Sequence, residues 1–391
     1  MTPRRDDSLG LAPASVGDYR ELARRRLPRQ LFDYIDGGAF DEVTLRANRA
    51  DLEALAFRQR VLRDVSVRSL STTVLDEELS MPIILAPVGF AGMFARRAEV
   101  QAARAATEAG VVFVESTLSI CSLEEVAGAV SRAPWFQLYV MKDRSYAEDL
   151  MARAWSLGSR TLVLTVDLAV VGQRYRDARN GIGAPIGLWG RARRGWDLAR
   201  HAHWVRDVAL GGRPLSFGNL TAALPEATVP ADFQHWVAGQ FDPSVTWDDL
   251  EWVRAHWPGR IALKGILDHE DASAAVNAGA DAVIVSNHGG RQLDGVLSGI
   301  RALPRVVEAV QGRAQVLMDG GVRSGLDVAK ALALGARACL IGRPWAYAVA
   351  AGGERAVGHT LAVMREELRV TLGLTGLSDV AQLSPAALVQ P

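Results

Sequence analysis

From Pro82 onward the chain repeats one unit: a short β-branched or apolar run, then a stretch whose apolar residues recur with helical spacing. The runs are IILAP (83–87), VVFVES (111–116), WFQLYV (135–140), TLVLTVD (161–167), IALKG (261–265), AVIVSNH (282–288), QVLMDGG (315–321) and ACLIGRP (338–344). Short apolar runs bounded by turn residues fit strands that are buried on both faces. Between them lie RRAEVQAARAATEAG, SLEEVAGAV, DHEDASAAVNAGA and SGLDVAKALALGA, several of which end in glycine as a helix C-cap does. Eight such strands with intervening helices predict an α/β fold, a (β/α)8 TIM barrel, with its reacting groups at the C-terminal ends of the strands.

The barrel is expected over 82–350 of one 391-residue domain. An N-terminal helical cap covers 16–60, C-terminal helices cover 351–391, and an insertion of about 75 residues (roughly 175–250) follows strand four. The first half of that insertion is rich in arginine and carries Trp189, Trp196 and Trp204. Such a segment fits contact with a membrane surface, and equally a solvated basic face or a subunit contact.

Composition removes other classes. The formal net charge is zero, so no nucleic-acid partner is expected. Cys121 and Cys339 stand far apart without metal-ligand spacing, so neither a disulfide framework nor a metal site is expected, and a reducing compartment fits. The N-terminus lacks the apolar core of a signal peptide, and IILAPVGFAGMFA is too short to cross a bilayer, which suggests a cytoplasmic start. Among 44 basic residues the only lysines are Lys142, Lys264 and Lys330, so each marks a place where an ammonium is not exchanged for a guanidinium.

A barrel would gather Gly89, Ser116, Gln137, Tyr139, Thr165, Asp167, Lys264, His288, Arg291, Asp319, Gly342 and Arg343 at one mouth. Taken singly, each has an ordinary structural explanation; together they supply a base, a carboxylate, a phenol, an ammonium and several guanidinia. His288 suits a base near neutral pH, and Asp167, the only acid at the end of strand four, is its natural partner. Arg174 and Arg291 could each grip a carboxylate with two donors. DGGVRSG (319–325) and IGRP (341–344) place glycines and an arginine after strands seven and eight, where barrels of this type bind phosphate. A phosphate-bearing cofactor near Lys264 and a small acid substrate follow.

The motifs SNHGGRQLD, LKG, DGGVRSG with IGRP, WFQLYV, TVD with an arginine seven positions after the Asp, and FDYIDGGA together resemble the FMN-dependent L-2-hydroxy acid dehydrogenase and oxidase family, from about Asp18 to LSPAAL near the end. The resemblance implies FMN as cofactor and oxidation of a small L-2-hydroxy acid, L-lactate to pyruvate first, with L-mandelate or another aryl or long-chain acid open. It implies His288 as base, Asp167 as its electrostatic partner, and Arg291, Arg174 and Tyr34 as ligands of the substrate carboxylate. Tyr139 would bond the substrate oxygen. Lys264 would lie at the flavin N1–O2 edge, where its charge favours the reduced ring. Ala86, Pro87, Val88, Ser116, Gln137, Thr165 and Ser286 would meet FMN, while Asp319, Gly320, Gly321, Arg323, Gly342 and Arg343 would hold its ribityl chain and phosphate. Whether the base takes the hydroxyl proton or the α-proton stays open.

The chain departs from the family pattern at a few positions. Leu118 replaces a tryptophan of some members and leaves room for a substrate side chain. Gly89 replaces the alanine of typical oxidases and points to a quinone rather than oxygen as electron acceptor. Phe94 replaces a tyrosine, and the proline that many members carry two positions after the Asp is absent. The insertion occupies the position of the membrane-binding loop of some members, implying a peripheral enzyme on the inner face of the cell membrane, and the family implies a homotetramer. Asp294 is expected to orient Arg291 or its loop.

Overall fold

The computed structural model describes residues 12–181, 187–221 and 239–389. A short antiparallel hairpin, β1 (Thr72–Val74) and β2 (Glu77–Leu79), precedes eight parallel strands. These are β3 (Ile83–Leu85), β4 (Val112–Ser116), β5 (Trp135–Tyr139), β6 (Thr161–Thr165), β7 (Arg260–Ile266), β8 (Ala282–Val285), β9 (Gln315–Met318) and β10 (Ala338–Ile341). They close into one barrel as β10 pairs with both β9 and β3. All eight expected strands are present, and the glycines expected after helices Ala98–Glu108, His269–Asn277 and Gly325–Ala333 (Gly110, Gly279 and Gly335) are left-handed.

Strand side chains alternate between two faces. Ile84, Val114, Trp135, Val163, Ala262, Ile284, Leu317 and Leu340, one from each strand, form a buried cluster separate from the one beneath the helices. This is the barrel interior. Two residues further up each strand the same face carries Ala86, Ser116, Gln137, Thr165, Lys264, Ser286, Asp319 and Gly342. The interior therefore changes from a packed apolar layer to a mostly polar one at the C-terminal mouth. At the opposite end Val74, Leu75 and Leu79 of the hairpin join the interior cluster, and Trp135 donates to Glu77, closing the bottom. The hairpin was not expected from the sequence, because three-residue strands around Asp76 and Glu77 carry little periodicity.

The cap consists of helices Val16–Arg26, Arg29–Asp36 and Val43–Ala54. Its anchor is Asp36, a buried carboxylate that accepts from Arg20 at 2.5 Å and from Arg176 and Tyr347 at 2.9 and 2.8 Å. Burial alone would raise the Asp36 pKa, but these donors outweigh it and hold it at about 2. The third cap helix is tied to the loop after β8 by reciprocal amide bonds between Asn48 and Asn287, at 2.9 and 2.8 Å. Asp294 caps this helix, accepting from the Val43 and Thr44 amides at 3.1 and 2.7 Å. This corrects its expected role toward Arg291, because the loop turns its carboxylate to the helix N-terminus. Two of the three lysines are likewise fixed by carbonyls: Lys142 donates to Gly239, and Lys330, buried, to Leu52.

Within the insertion, helix Leu188–Arg200 leaves Trp189 and Trp196 90% and 69% exposed, whereas Trp204 is buried and donates to the Met93 carbonyl. Segments 182–186 and 222–238 of the insertion lie outside the described residues. Among the described residues no helix is long and apolar enough to cross a membrane.

Candidate active site

A cavity of about 640 Å3 opens at the C-terminal mouth, between the cap and the loops after β3, β6, β8, β9 and β10. Tyr34, Tyr139, Arg174, Lys264, His288 and Arg291 line it, as do Ala86, Pro87, Val88, Asp319, Gly320, Gly321, Arg323, Gly342 and Arg343. Asp167, Ser116, Gln137, Thr165 and Ser286 are not in the lining: Asp167 bonds His288, Ser286 bonds Lys264, Thr165 is the strand partner of Lys264, and Ser116 pairs with Gln137. Sequence reasoning missed Phe241, Leu168 and Val171, which also line the cavity. Phe241 comes from the FDPSV stretch at the end of the insertion and meets the Tyr139 ring edge-on at 5.3 Å.

The loop after β8 places the histidine. His288 itself is left-handed (φ 57°), and its amide donates to Ser286 at 3.0 Å. Its Nδ1 lies 2.9 and 3.2 Å from the two Asp167 oxygens, leaving Nε2 for a molecule in the cavity. The LKG motif explains how Asp167 gets so close. A Cβ at Gly265 (φ 113°) would stand 2.6 Å from that of Asp167, so only glycine lets β7 pass beneath the carboxylate. Gly290 (φ 74°) serves the loop similarly, since a Cβ there would meet the Leu45 amide at 2.7 Å. Gln292, not singled out from the sequence, donates to the carbonyls of Asp167 at 2.8 Å and Val170 at 3.2 Å and so fixes the loop after β6.

The protonation states form a consistent set. Burial holds His288 below the ordinary imidazole value, partly offset by Asp167, so the ring is neutral near pH 7. Burial would raise Asp167, but His288 and Lys264 bring it below the usual carboxylate range. Lys264, 4% exposed, bonds Ser286 at 3.0 Å and Asp319 at 3.2 Å; burial would lower its pKa, but Asp319 and Asp167 outweigh it and raise it. The site thus holds a neutral base beside two charged partners.

Opposite them, Arg174 and Arg291 flank the Tyr34 ring, their guanidinium carbons 5.5 and 4.8 Å from its centroid. Arg291 Nη1 donates to the carbonyls of Tyr34 at 2.5 Å and Gly37 at 3.1 Å, and Arg174 bonds Asp177 at 3.2 Å. Burial lowers Arg291, Arg323 and Arg343, a cost that bound anions would offset. Arg343 donates to the Ile35, Gly37 and Gly289 carbonyls at 2.8 to 2.9 Å and so ties the cap to the histidine loop.

Several buried polar atoms here lack a partner: Gln137 Nε2, Thr165 Oγ1, Asp319 Oδ1 and Arg174 Nε. Orphaned donors and acceptors are costly, and those at 137, 165 and 319 sit in the polar top layer of the barrel. They fit a planar heteroaromatic group with a hydroxylated chain running toward the left-handed glycine pair Gly320–Gly321.

A parallel barrel whose mouth holds a histidine–carboxylate pair, two arginines across the same cavity and two glycine-rich loops that each carry an arginine is the framework of a cofactor-dependent enzyme. The chain belongs to the FMN-dependent dehydrogenase family, whose profile matches residues 23–390, and its cofactor is FMN. It is 52% identical over 377 residues to an L-lactate dehydrogenase of Xanthobacter autotrophicus, covering 96% of each chain. An L-lactate dehydrogenase of Caulobacter vibrioides is 53% identical, covering 96% of this chain and 98% of that one. Among solved structures, the monotopic membrane protein (S)-mandelate dehydrogenase superposes with a TM-score of 0.91 at 38% identity, covering 97% of this chain and all of that one. Mandelate oxidase gives 0.81 at 39% identity, covering 97% and 98%.

Proposed function

We propose that the protein oxidises L-lactate to pyruvate and passes the electrons to a quinone while lying, as a homotetramer, on the inner membrane surface. The observation that carries the reading is the His288–Asp167 pair facing Arg291 and Arg174 across one cavity. Relatives at about half identity named L-lactate dehydrogenase support the substrate. Bound FMN supplies the two-electron sink for the substrate C–H bond that breaks.

In this reading Arg291 and Arg174, with Tyr34, bind the carboxylate and fix which face of the α-carbon meets the cofactor. His288 Nε2 accepts a proton from the substrate, and Asp167 stabilises the imidazolium that forms. Tyr139, whose phenol burial keeps protonated, donates to the substrate oxygen. Lys264 sets a fixed positive charge at the barrel top, and Asp319 takes a cofactor hydroxyl. Gln137 and Thr165 bond the ring system that Ala86, Pro87, Val88, Ser116 and Ser286 enclose. Gly320, Gly321, Arg323, Gly342 and Arg343 hold the phosphate.

The substrate side chain then faces Leu118, Phe90, Phe94 and Phe241. That apolar, aromatic wall favours L-mandelate as the second reading, alongside the structural neighbours named mandelate dehydrogenase and mandelate oxidase. Anaerobic mixing with L-lactate, L-mandelate and glycolate, followed by loss of flavin absorbance, decides between them. Lactate is expected to bleach fastest; no bleaching by any of the three rejects a 2-hydroxy acid oxidation.

The quinone part rests on glycine at position 89 in place of the alanine of typical oxidases, and the membrane part on the exposed helix Leu188–Arg200. On a helical wheel Leu188, Trp189, Ala192 and Trp196 share one side, flanked by Arg193 and Arg200, as an interfacial helix requires. Replacing Trp189 and Trp196 together with serine is expected to weaken binding to anionic phospholipid vesicles at least about tenfold, read by sedimentation. Unchanged partitioning would remove this helix as the anchor.

A further inference from the structure

A buried carboxyl group behind the barrel mouth bonds two of the loops that form it. Glu99, on helix Ala98–Glu108, is fully buried, and its Oε1 accepts from two backbone amides, Gly92 at 2.9 Å and Ile120 at 3.0 Å. These amides belong to different loops. Gly92 lies in the loop after β3, which carries Gly89, Phe90 and Phe94; Ile120 lies in the loop after β4, which carries Leu118. All four of those residues line the cavity.

The two loops touch with little slack. The Phe90 amide donates to the Leu118 carbonyl at 3.0 Å, and a Cβ at Gly92 would stand only 2.6 Å from that of Ile120. Phe90 is held left-handed at φ 63°, a conformation that needs support from its surroundings. The aromatic side of the wall is continuous: Phe90 packs on Tyr34 at 5.5 Å and on Phe217 at 4.5 Å. Any movement of this loop relative to Leu118 therefore changes the space left for a substrate side chain.

We propose that Glu99 is a positioning residue for substrate selection: by bonding both amides with one oxygen it sets the gap between Phe90, Phe94 and Leu118, and so the length of the 2-hydroxy acid accepted. A carboxyl group is suited to this because one oxygen, with two lone pairs, accepts two amides from different directions. The adjacent Glu115, also buried, faces the helices rather than the barrel interior, being out of phase with Val114 and Ser116. Burial, with Glu99 nearby, pushes Glu115 well above the ordinary carboxylate value.

This inference rests on the reading of the cavity as a 2-hydroxy acid site. The test compares flavin reduction by L-lactate and L-2-hydroxyhexanoate in the FMN-loaded full-length protein and in Glu99→Asp, whose side chain is one methylene too short to reach both amides. The ratio of kcat/KM values is expected to move toward the longer acid by about tenfold, the scale on which an apolar pocket discriminates a methylene. Glu99→Gln, which retains the acceptor oxygen, is expected to restore the wild-type ratio to within about twofold. Gly92→Ala parts the same loops without altering the carboxylate and should shift the ratio in the same direction; it decides the matter if Glu99→Asp does not fold. A ratio within about twofold of wild type in Glu99→Asp or Gly92→Ala, with FMN bound and still reduced by lactate, overturns the inference alone. Failure of wild-type flavin to be reduced by either acid overturns the functional reading, and this inference with it.

Discussion

Replacing His288 with alanine is expected to leave the protein folded and yellow while slowing flavin reduction by L-lactate about 10²- to 10⁴-fold, the usual worth of a positioned base. Apart from Ser286, which bonds the His288 backbone amide rather than its ring, the groups proposed to hold FMN lie on other strands, so the flavin should remain bound. Its loss on gel filtration would give His288 a structural role instead. A pH profile adds a second check. The base must be neutral to accept a proton, and burial holds the His288 pKa below the ordinary value of 6.5. The rate should therefore rise with pH along an acid limb whose midpoint lies below 6.5, and that limb should vanish in the alanine variant. A reduction rate within about tenfold of wild type, with the limb intact, would assign the proton to another group.

Arg291→Met is the second large effect. The guanidinium is buried beside Arg174, and a substrate carboxylate would sit against both. Removing one side of a buried, hydrogen-bonded charge pair costs about 2 kcal/mol or more, so KM for L-lactate should rise at least about 30-fold. Arg291 also bonds the carbonyls of Tyr34 and Gly37, so part of the change will come from a looser cap. Arg291→Lys separates the two contributions: it keeps the charge but loses the planar two-pronged grip, and it should fall between wild type and methionine. Equal KM values for all three proteins would exclude the carboxylate contact.

Much of the site was legible because strand ends and mouth residues coincide in a parallel barrel. Once eight runs are assigned as strands, the alternation of side chains places Ser116, Gln137, Thr165, Lys264, Ser286 and Asp319 on one face of one layer. The signal for His288 and Arg291 was equally local, a polar turn after AVIV. Other features left no local trace. Phe241 reaches the cavity from the end of an insertion that has no periodic pattern, and Gln292 looks like any loop glutamine until its carbonyl partners are known. Glu99 reads as an ordinary first-turn helix acid, which the helix dipole would explain without any loop amide. The hairpin that plugs the barrel is too short and too acidic to register as strand.

The sequence by itself determined the number and order of the strands, because apolar, β-branched runs of that length have few other low-energy uses, and it determined the residue types at the mouth. Only the tertiary structure decided partners. Asp167 meets His288 across 121 positions because barrel closure sets β6, β7 and β8 side by side, and a glycine bulge in β7 clears the path between them. Asp294, three residues past Arg291, turns instead to cap the helix that begins at Val43. Proximity along the chain fixes which groups are available, whereas pairing register and loop curvature fix which of them touch.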